Sequence, residues 1–187
     1  MRISGGIARG IALMVPKGDR VRPATDGLRQ AVFSSLGGRV EGARFLDLFA
    51  GSGAYGLEAL SRGAAGGAFV EQNAKAAACV RRNIVSVCKS LGRDPQDLVV
   101  SQADACTVPL SGDMPDLIFV DPPYDSVMEC AQPVFARLAE ALPSRLDPLV
   151  VFELPGELDL APGGWTLVKR LGKGQRQPTV CFFRRLI

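Results

Sequence analysis

Histidine is absent from the 187-residue sequence, and so is any paired arrangement of cysteines. Without histidine the chain cannot build a Ser-His-Asp triad, histidine acid–base catalysis or a histidine-containing zinc site. The cysteines are odd in number, scattered and never spaced as Cys-x-x-Cys: they are Cys79, Cys88, Cys106, Cys130 and Cys181. This usage predicts small buried apolar residues in a reducing compartment, with neither a disulfide framework nor a metal site.

Long apolar runs are missing as well. No uncharged stretch reaches the roughly 18 apolar residues that a membrane span needs. The first six residues, Met1–Gly6, lack the apolar stretch of a signal peptide. Internal repeats, low-complexity tracts and long linkers are also missing. We therefore expect one soluble cytoplasmic domain without a membrane partner.

Charge is distributed unevenly along the chain. Residues 1–44 carry eight Lys/Arg and three acids, residues 45–164 carry eight and sixteen, and residues 165–187 carry six and none. The segments therefore have net charges of +5, −8 and +6, which together give the overall +3. Basic ends around an acidic middle indicate either two termini that contact a polyanion or two solvated Arg-rich edges, and charge alone does not choose between them.

Short apolar runs alternate with helical stretches from Arg44 onwards. The runs of strand length are 45–49, 67–71, 98–101, 116–120 and 149–152. The clearest helical stretches are 55–62, 74–91 and 130–142. This alternation predicts a mainly parallel sheet with helices on both faces. Residues 166–168 and 179–183 flank a Gly/Lys/Arg/Gln turn, which predicts a C-terminal antiparallel hairpin.

A separate extension over residues 1–40 is predicted to precede this alternation. Residues 2–15 have the glycine spacing of a short hairpin, and Thr25-Asp26 can cap a helix over about residues 27–36. Residues 41–187 would then form the core of the single domain.

A glycine-rich segment, Gly51-Ser52-Gly53-Ala54-Tyr55-Gly56, follows the first predicted strand. Glycines at a strand-to-helix junction allow a sharp turn and the close approach of a ligand. Glu71 lies twenty residues after Gly51, at the end of the second predicted strand, where a carboxylate can accept hydrogen bonds from both hydroxyls of a ribose. These features suit a nicotinamide dinucleotide and S-adenosylmethionine equally.

Two further carboxylates favour S-adenosylmethionine. Asp47 lies four residues before the first glycine, where dinucleotide folds usually keep an apolar residue, and it can help to hold the charged amino-acid part of S-adenosylmethionine. Asp104 follows the third strand and can accept a hydrogen bond from an adenine amino group. The predicted cofactor site comprises Asp47, Phe49, Ala50, Gly51, Ser52, Gly53, Gly56, Glu71, Gln72, Asp104 and Ala105.

The sharpest motif is Asp121-Pro122-Pro123-Tyr124, directly after the fourth predicted strand. Its prolines fix φ and remove two backbone donors, so the turn is stiff. An exocyclic base amine is a poor nucleophile because its lone pair is delocalised into the ring, and acceptors for both of its protons localise that lone pair. The Asp121 carboxylate and the Pro122 carbonyl offer two acceptors, and Tyr124 can stack on the base. The motif therefore predicts methylation of a base amine, which needs no strong base.

Residues 44–125 resemble class I amino-methyltransferases. Residues 47–64, together with Arg2–Gly6, Arg9-Gly10 and Arg22–Asp26, are similar to the bacterial small-subunit (16S) ribosomal RNA guanine-N2 methyltransferases. The resemblance implies a Rossmann-like α/β fold with a seven-stranded sheet, S-adenosylmethionine as the cofactor and the N2 amine of a guanine as the target. The sequence departs from the family pattern within the extension, at Ala24 and Gln30.

The resemblance also implies that the extension helps to grip RNA. The expected partner is ribosomal RNA or an assembling small ribosomal subunit. With the basic termini, this predicts RNA contacts by Arg2, Arg9, Arg20, Arg22, Arg29, Lys173 and Arg176.

Three other functions stay open on the sequence. A DNA adenine-N6 methyltransferase uses the same Asp-Pro-Pro-Tyr turn, although no stretch remains here for a separate sequence-reading domain. A nicotinamide-dependent oxidoreductase explains the glycine loop and Glu71 but gives Asp121–Tyr124 no role. A catalytically inactive RNA-binding protein that keeps the nucleotide pocket is the third.

Overall fold

The computed structural model describes residues 1–16, 26–110, 114–142, 147–172, 174 and 177–186. The strands are β1 (Arg44–Leu48), β2 (Gly66–Val70), β3 (Leu98–Ser101), β4 (Leu117–Val120), β5 (Leu149–Pro155), β6 (Trp165–Leu171) and β7 (Pro178–Arg185). The helices are α1 (Asp26–Leu36), α2 (Ala54–Ser61), α3 (Ala74–Leu91) and α4 (Val127–Ala141). Short 3-10 turns cover Gly37–Arg39, Pro95–Asp97 and Tyr124–Ser126.

One seven-stranded sheet has the strand order β3-β2-β1-β4-β5-β7-β6. Strands β1 to β5 pair in parallel, whereas β7 runs antiparallel to both β5 and β6. The predicted parallel α/β sheet with a C-terminal antiparallel hairpin is therefore confirmed. The order reverses direction between β1 and β4, and ligands of such sheets bind beyond the carboxyl ends of the strands at this switch point.

The two faces of the sheet are covered by two apolar clusters. One cluster joins the N-terminal segment, α1, α2 and α3, and the other is built around α4 and the C-terminal hairpin. All of β4 and β5 is buried, because the central strands of a parallel sheet lie between helices on both sides. The continuous apolar runs in the sequence follow from this double coverage.

The helix boundaries follow local capping signals. The side chain of Asn73 accepts hydrogen bonds from the backbone N–H groups of Lys75 and Ala76, and Gly92 ends α3 in the left-handed conformation with φ of 64°. Helix α3 therefore has the bounds that the sequence predicts. Helix α4 begins at Val127, three residues before the predicted start at Cys130, because it continues directly from the 3-10 turn Tyr124–Ser126, which begins within the Asp-Pro-Pro-Tyr motif.

The N-terminal segment folds back on itself, as the glycine spacing predicts, but its ladder is a single antiparallel bridge between Arg2 and Ala12. The Ile3 N–H donates to the Ile11 carbonyl at 2.9 Å and the Gly10 N–H donates to the Ile3 carbonyl at 2.9 Å. Ile3 is fully buried in the cluster that also holds α2, so this segment packs into the core. Thr25, the expected helix cap, lies outside the described residues.

Within the parts of the chain that the structure describes, no helix combines the length and apolar character needed to cross a membrane.

Candidate active site

Four carboxylates collect at the carboxyl edge of the parallel strands. They are Asp47 near the end of β1, Glu71 after β2, Asp121 after β4 and Glu153 in β5. The register pairs Leu48 with Val120 and Val120 with Phe152, so Asp121 and Glu153 lie beside one another in neighbouring strands. Parallel pairing thus brings side chains together that are up to 106 residues apart in sequence.

The glycine-rich loop joins β1 to α2 through backbone conformations that disfavour side chains. Gly51 has a φ of 56°, and Gly53, directly before α2, has a φ of 78°. The Gly56 N–H, in the first turn of α2, donates to Asp47 Oδ2 at 2.9 Å. A Cβ at Gly56 would lie 2.5 Å from the rings of Phe45 and Phe69, so this glycine lets α2 pack closely on the sheet.

Phe49 enters this loop with a φ of 60°, a left-handed conformation that is uncommon for a residue with a bulky side chain. Backbone strain of this kind collects at ligand-binding sites. The following residue, Ala50, donates its N–H to the Val70 carbonyl at 3.0 Å and so fixes the loop to the end of β2.

Glu71 holds the glycine loop from the neighbouring strand. Its Oε2 accepts a hydrogen bond from the Gly51 N–H at 2.8 Å, and its Oε1 accepts one from the Asn73 N–H at 2.8 Å. Each carboxylate oxygen has a second lone pair, so these bonds leave acceptor capacity for the hydroxyls of a ribose.

The third predicted part of the cofactor site lies in the loop after β3. Asp104 is exposed, and its Oδ1 accepts a hydrogen bond from the Cys106 N–H at 2.8 Å. Ala105 is buried in the second apolar cluster, and Gln72 is exposed directly after Glu71. One carboxylate oxygen of Asp104 therefore stabilises the loop in which this residue lies.

The Asp-Pro-Pro-Tyr turn connects β4 to α4. The Asp121 N–H donates to the Leu48 carbonyl at 3.4 Å, and the Ser126 N–H donates to the Pro123 carbonyl at 2.8 Å. Pro122 is buried, whereas the Tyr124 side chain is 37% exposed. The turn therefore has a fixed base and presents an aromatic ring to the solvent.

Burial raises the pKa of three of these carboxyl groups. The pKa of Asp47 rises to about 8, because burial and the nearby charge of Glu71 outweigh the hydrogen bond from Gly56. The pKa of Asp121 is raised well above its usual value by burial, by Glu153 and by Asp47. Burial also raises the pKa of Glu153 to about 7, against the opposing effects of Tyr55, Tyr124 and Arg29. Clusters of this kind are common at functional sites.

Glu153 is the site residue that the sequence did not predict. It is 2% exposed, and its Oε2 accepts a hydrogen bond from the Tyr55 hydroxyl at 2.8 Å. The available signal was a single acid at the end of the apolar run 149–152, one residue past the predicted strand end.

The prediction that Arg29 contacts RNA is wrong. Its side chain is 0% exposed, and its guanidinium donates to Asp26 Oδ1 at 2.7 Å, to Glu58 Oε2 at 3.4 Å and to the Arg2 carbonyl at 2.6 Å. A guanidinium enclosed by two carboxylates and a carbonyl cannot reach a phosphate, so Arg29 joins α1 to α2 and to the N-terminal segment.

Asn83 in α3 is a second unpredicted contact, which links the N-terminal segment to the glycine loop. Its Oδ1 accepts from the Met14 N–H at 2.8 Å, and its Nδ2 donates to the carbonyls of Met14 and Ser52 at 2.9 Å each. The buried Ser52 thus belongs to a loop that is held from two sides.

The remaining predicted RNA contacts divide into two groups. Arg2 and Arg9 are exposed and help to line a cavity of about 200 Å³ beside α1. The others lie outside the described residues: they are Arg20, Arg22, Lys173 and Arg176.

The space over the glycine loop and the carboxylates around it fit S-adenosylmethionine. A Cβ at Gly51 would have the Phe49 carbonyl oxygen, 3.9 Å away, as its nearest neighbour, so the space over this glycine is open. Carboxylates surround the loop, and S-adenosylmethionine carries a cationic sulfonium, a cationic amine and hydroxyl donors. Donors and cations of the ligand would therefore meet acceptors of the protein.

Comparison with known proteins decides the family. Residues 1–183 match the family described as Conserved hypothetical protein 95. The chain belongs to this family. The matched range includes the N-terminal segment, the glycine loop and the Asp-Pro-Pro-Tyr turn.

Curated relatives of this member of Conserved hypothetical protein 95 are named as ribosomal RNA methyltransferases. The Ribosomal RNA small subunit methyltransferase D of Escherichia coli K12 is 37% identical over 124 residues, which cover 66% of this chain and 60% of that protein. The protein of the same name from Haemophilus influenzae is 29% identical over 175 residues, 93% of this chain and 89% of that protein. The resemblance expected from the sequence is confirmed, although these names do not state the base.

A solved structure extends the likeness to the whole fold. The Escherichia coli protein yhhF, named as a candidate methyltransferase, has a TM-score of 0.79 and 30% identity, and the match covers 99% of this chain and 97% of that one. The sheet order and the switch point therefore belong to a known methyltransferase-like fold.

Proposed function

We propose that this chain is an S-adenosylmethionine-dependent methyltransferase that methylates the exocyclic N2 amine of a guanine in small-subunit (16S) ribosomal RNA in the cytoplasm. The observation that carries the proposal is the position of the stiff Asp121–Tyr124 turn at the switch point, beside the glycine loop and Asp47. The names of the relatives support the RNA substrate, which would be free ribosomal RNA or a partly assembled small subunit.

The residues that would hold the cofactor surround the glycine loop. Glu71 would accept hydrogen bonds from the ribose hydroxyls while it keeps Gly51 in place. Asp47 would face the charged amino-acid part, and Asp104 would accept a hydrogen bond from the adenine amine. When bound, the cofactor supplies an electrophilic methyl group on a sulfonium.

The catalytic turn would activate and orient the amine. The Asp121 carboxylate and the Pro122 carbonyl would accept hydrogen bonds from the two N–H groups of the amine, so that the nitrogen lone pair is directed at the methyl group. Tyr124 would stack on the base and keep the amine in line with the carbon–sulfur bond. The cofactor would give up its methyl group and leave as S-adenosylhomocysteine, and no residue of the turn would need to act as a strong base, because the amine can lose its proton after methyl transfer.

The decisive experiment compares wild type with Asp121→Ala in the transfer of a labelled methyl group to ribosomal RNA. We expect the variant to lose on the order of 100-fold or more in kcat, the effect of removing one group that acts in the transition state. Binding of S-adenosylhomocysteine, measured by calorimetry, should stay within a few-fold of wild type. Unchanged turnover would remove the role assigned to Asp121.

Nucleoside analysis of the product separates the remaining functions. N2-methylguanosine in ribosomal RNA, with no label in duplex DNA, supports the proposal, whereas N6-methyladenine in DNA supports the adenine methyltransferase. Binding of NAD in place of S-adenosylhomocysteine would support an oxidoreductase. Ribosomal RNA and small-subunit particles, both from cells that lack this gene, would show which form is the substrate.

A further inference from the structure

A carboxylate with no role in the reaction just described is buried within β5. Glu153 is 2% exposed, in a strand whose other residues are buried and apolar. Burial of a carboxylate is costly unless hydrogen bonds compensate. The groups that supply those bonds therefore indicate what Glu153 does.

Two tyrosine hydroxyls point at Glu153 from two different elements. Tyr55, in α2, donates to Oε2 at 2.8 Å, and Tyr124, in the catalytic turn, donates to Oε1 at 3.5 Å. The chain contains two tyrosines, so both of them contact this one carboxylate.

Tyr55 anchors this arrangement. Its ring is buried and stacks on Phe119 of β4, with a centroid distance of 5.3 Å and an interplanar angle of 15°. Because packing fixes the Tyr55 ring, the hydroxyl of Tyr55 holds the Glu153 carboxylate at Oε2. The other oxygen of the same carboxylate, Oε1, is therefore held in place as well. Tyr124 lies at the other end of this series of contacts and is the exposed member.

We propose that Glu153 is a positioning residue that holds the Tyr124 hydroxyl and so sets the ring at the angle needed to stack on the target base. This inference rests on the proposed function, because it assumes that Tyr124 stacks on a base. Tyr124 opens the three-residue turn Tyr124–Ser126, and its ring is the exposed end of this series of contacts. A ring held at its hydroxyl end loses less rotational freedom when the base binds.

Fluorine NMR tests the contact without any substrate. Biosynthetic 3-fluorotyrosine gives one signal each for Tyr55 and Tyr124, and Tyr124→Phe assigns them. We expect Glu153→Ala to move both signals and to shift that of Tyr124 toward the value of a freely rotating tyrosine. Glu140→Gln, a change of an exposed acid in α4, should leave both signals in place.

Kinetics test the consequence. The rates are compared at a pH above which kcat no longer rises, so that Asp121 is ionised in every variant. Tyr124→Phe keeps the ring but removes the hydroxyl, and Glu153→Ala removes the acceptor, so each should lower this kcat about two- to tenfold, the range of one hydrogen bond. Glu153→Gln keeps an acceptor oxygen and should recover part of the loss. The double variant Tyr124→Phe/Glu153→Ala should be no slower than the worse single variant. Binding of S-adenosylhomocysteine should be unchanged.

Two results would overturn the proposal. A Tyr124 signal that stays in place in Glu153→Ala would show that Glu153 does not hold the ring. A kcat unchanged in Tyr124→Phe would show that the hydroxyl bond has no catalytic consequence, and this variant keeps the test valid if Glu153→Ala does not fold. An inactive wild type would instead contradict the proposed function, while the fluorine signals would still decide whether Glu153 holds Tyr124.

Discussion

Buried carboxylates occur in two regions of this molecule, in opposite electrostatic settings. Glu58 in α2 is fully buried and accepts hydrogen bonds from Ser4, Arg29 and Arg62. Its charge is thus balanced by two guanidinium groups at the junction between the N-terminal segment, α1 and α2. This is the expected setting of a buried charge that serves the structure.

The carboxylates at the strand ends are arranged differently. Burial raises the pKa values of Asp47, Asp121 and Glu153, and the charges of Glu153 and Asp47 further raise the pKa of Asp121. The positive charge of Arg29 opposes the shift at Glu153. Buried carboxylates are therefore paired with guanidinium groups at the junction of α1 and α2, whereas at the strand ends they lie close to one another.

The contrast suggests what the second region is built to receive. A surplus of buried acceptors favours a ligand that brings positive charge and N–H or O–H donors. S-adenosylmethionine carries a sulfonium and an ammonium against a single carboxylate and is therefore a net cation, and an exocyclic amine brings N–H donors. A nicotinamide dinucleotide would instead bring a negatively charged pyrophosphate to the same place. The electrostatics thus favour the proposed methyltransferase over the oxidoreductase.

The largest expected effect follows from removing one of the two cations that balance Glu58. Arg29→Ala should lower the free energy of unfolding by about 3–5 kcal/mol, because it leaves the Glu58 carboxylate buried without one of its cations. Urea unfolding followed by circular dichroism measures this. Arg9→Ala, which removes an exposed arginine, should change stability by less than about 0.5 kcal/mol. A loss below about 1 kcal/mol for Arg29→Ala would mean that Glu58 is not balanced in the way described.

The second prediction concerns Asp47, one of the carboxylates at the strand ends. The native state binds the Asp47 proton more tightly than the unfolded chain does, since its pKa rises from 3.8 to about 8. The native state therefore loses stability as the pH rises through this window. Asp47→Asn removes this loss, and its unfolding free energy relative to wild type should rise by on the order of 1–3 kcal/mol between pH 5 and pH 8.

Thermal unfolding at several pH values tests this prediction. Glu140→Gln, which alters an exposed acid, supplies the matched control and should follow the wild-type curve. Parallel curves for Asp47→Asn and wild type would show that Asp47 is ionised in the native state throughout this range.

Local signals explain which parts of the fold and site could be predicted. The bounds of helix α3 can be predicted because Gly92 marks its end within the sequence, and the structure shows in addition that the Asn73 side chain caps its start. Asp121 was expected at the carboxyl edge because every strand of a parallel sheet ends there. The enclosed position of Arg29 and the site position of Glu153 could not be predicted for a shared reason, since the partners of both residues lie on other elements. A count of charges along the chain does not show that Arg29 meets Glu58, which is 29 residues away.

The third prediction links the carboxylates to the rate of methyl transfer. Burial raises the pKa of Asp121, and the charges of Glu153 and Asp47 raise it further. Because ionised Asp121 is the better acceptor for the amine protons, kcat should rise with pH as this group loses its proton. Glu153→Gln removes one of the two charges, so the acidic limb of the kcat profile should move to lower pH.

Its measurement is a profile of kcat between pH 5 and pH 9 for wild type, Glu153→Gln and Glu140→Gln. The Glu140→Gln profile should coincide with that of wild type. A limb that stays in place in Glu153→Gln would show that the carboxylates of Asp121, after β4, and Glu153, within β5, do not influence each other during turnover.

The smallest expected effect compares exposed arginines in two places on the surface. Arg2 and Arg9 are exposed beside a cavity, so each can neutralise a phosphate. Replacing Arg9 with Gln should weaken RNA binding only a few-fold but reduce the slope of log K against log salt by about one, the share of a single phosphate contact. Arg39→Gln is the control, because Arg39 is exposed near the amino ends of β1 and β4, on the side away from the carboxylates. Equal slopes for wild type and both variants would place the RNA elsewhere on the surface.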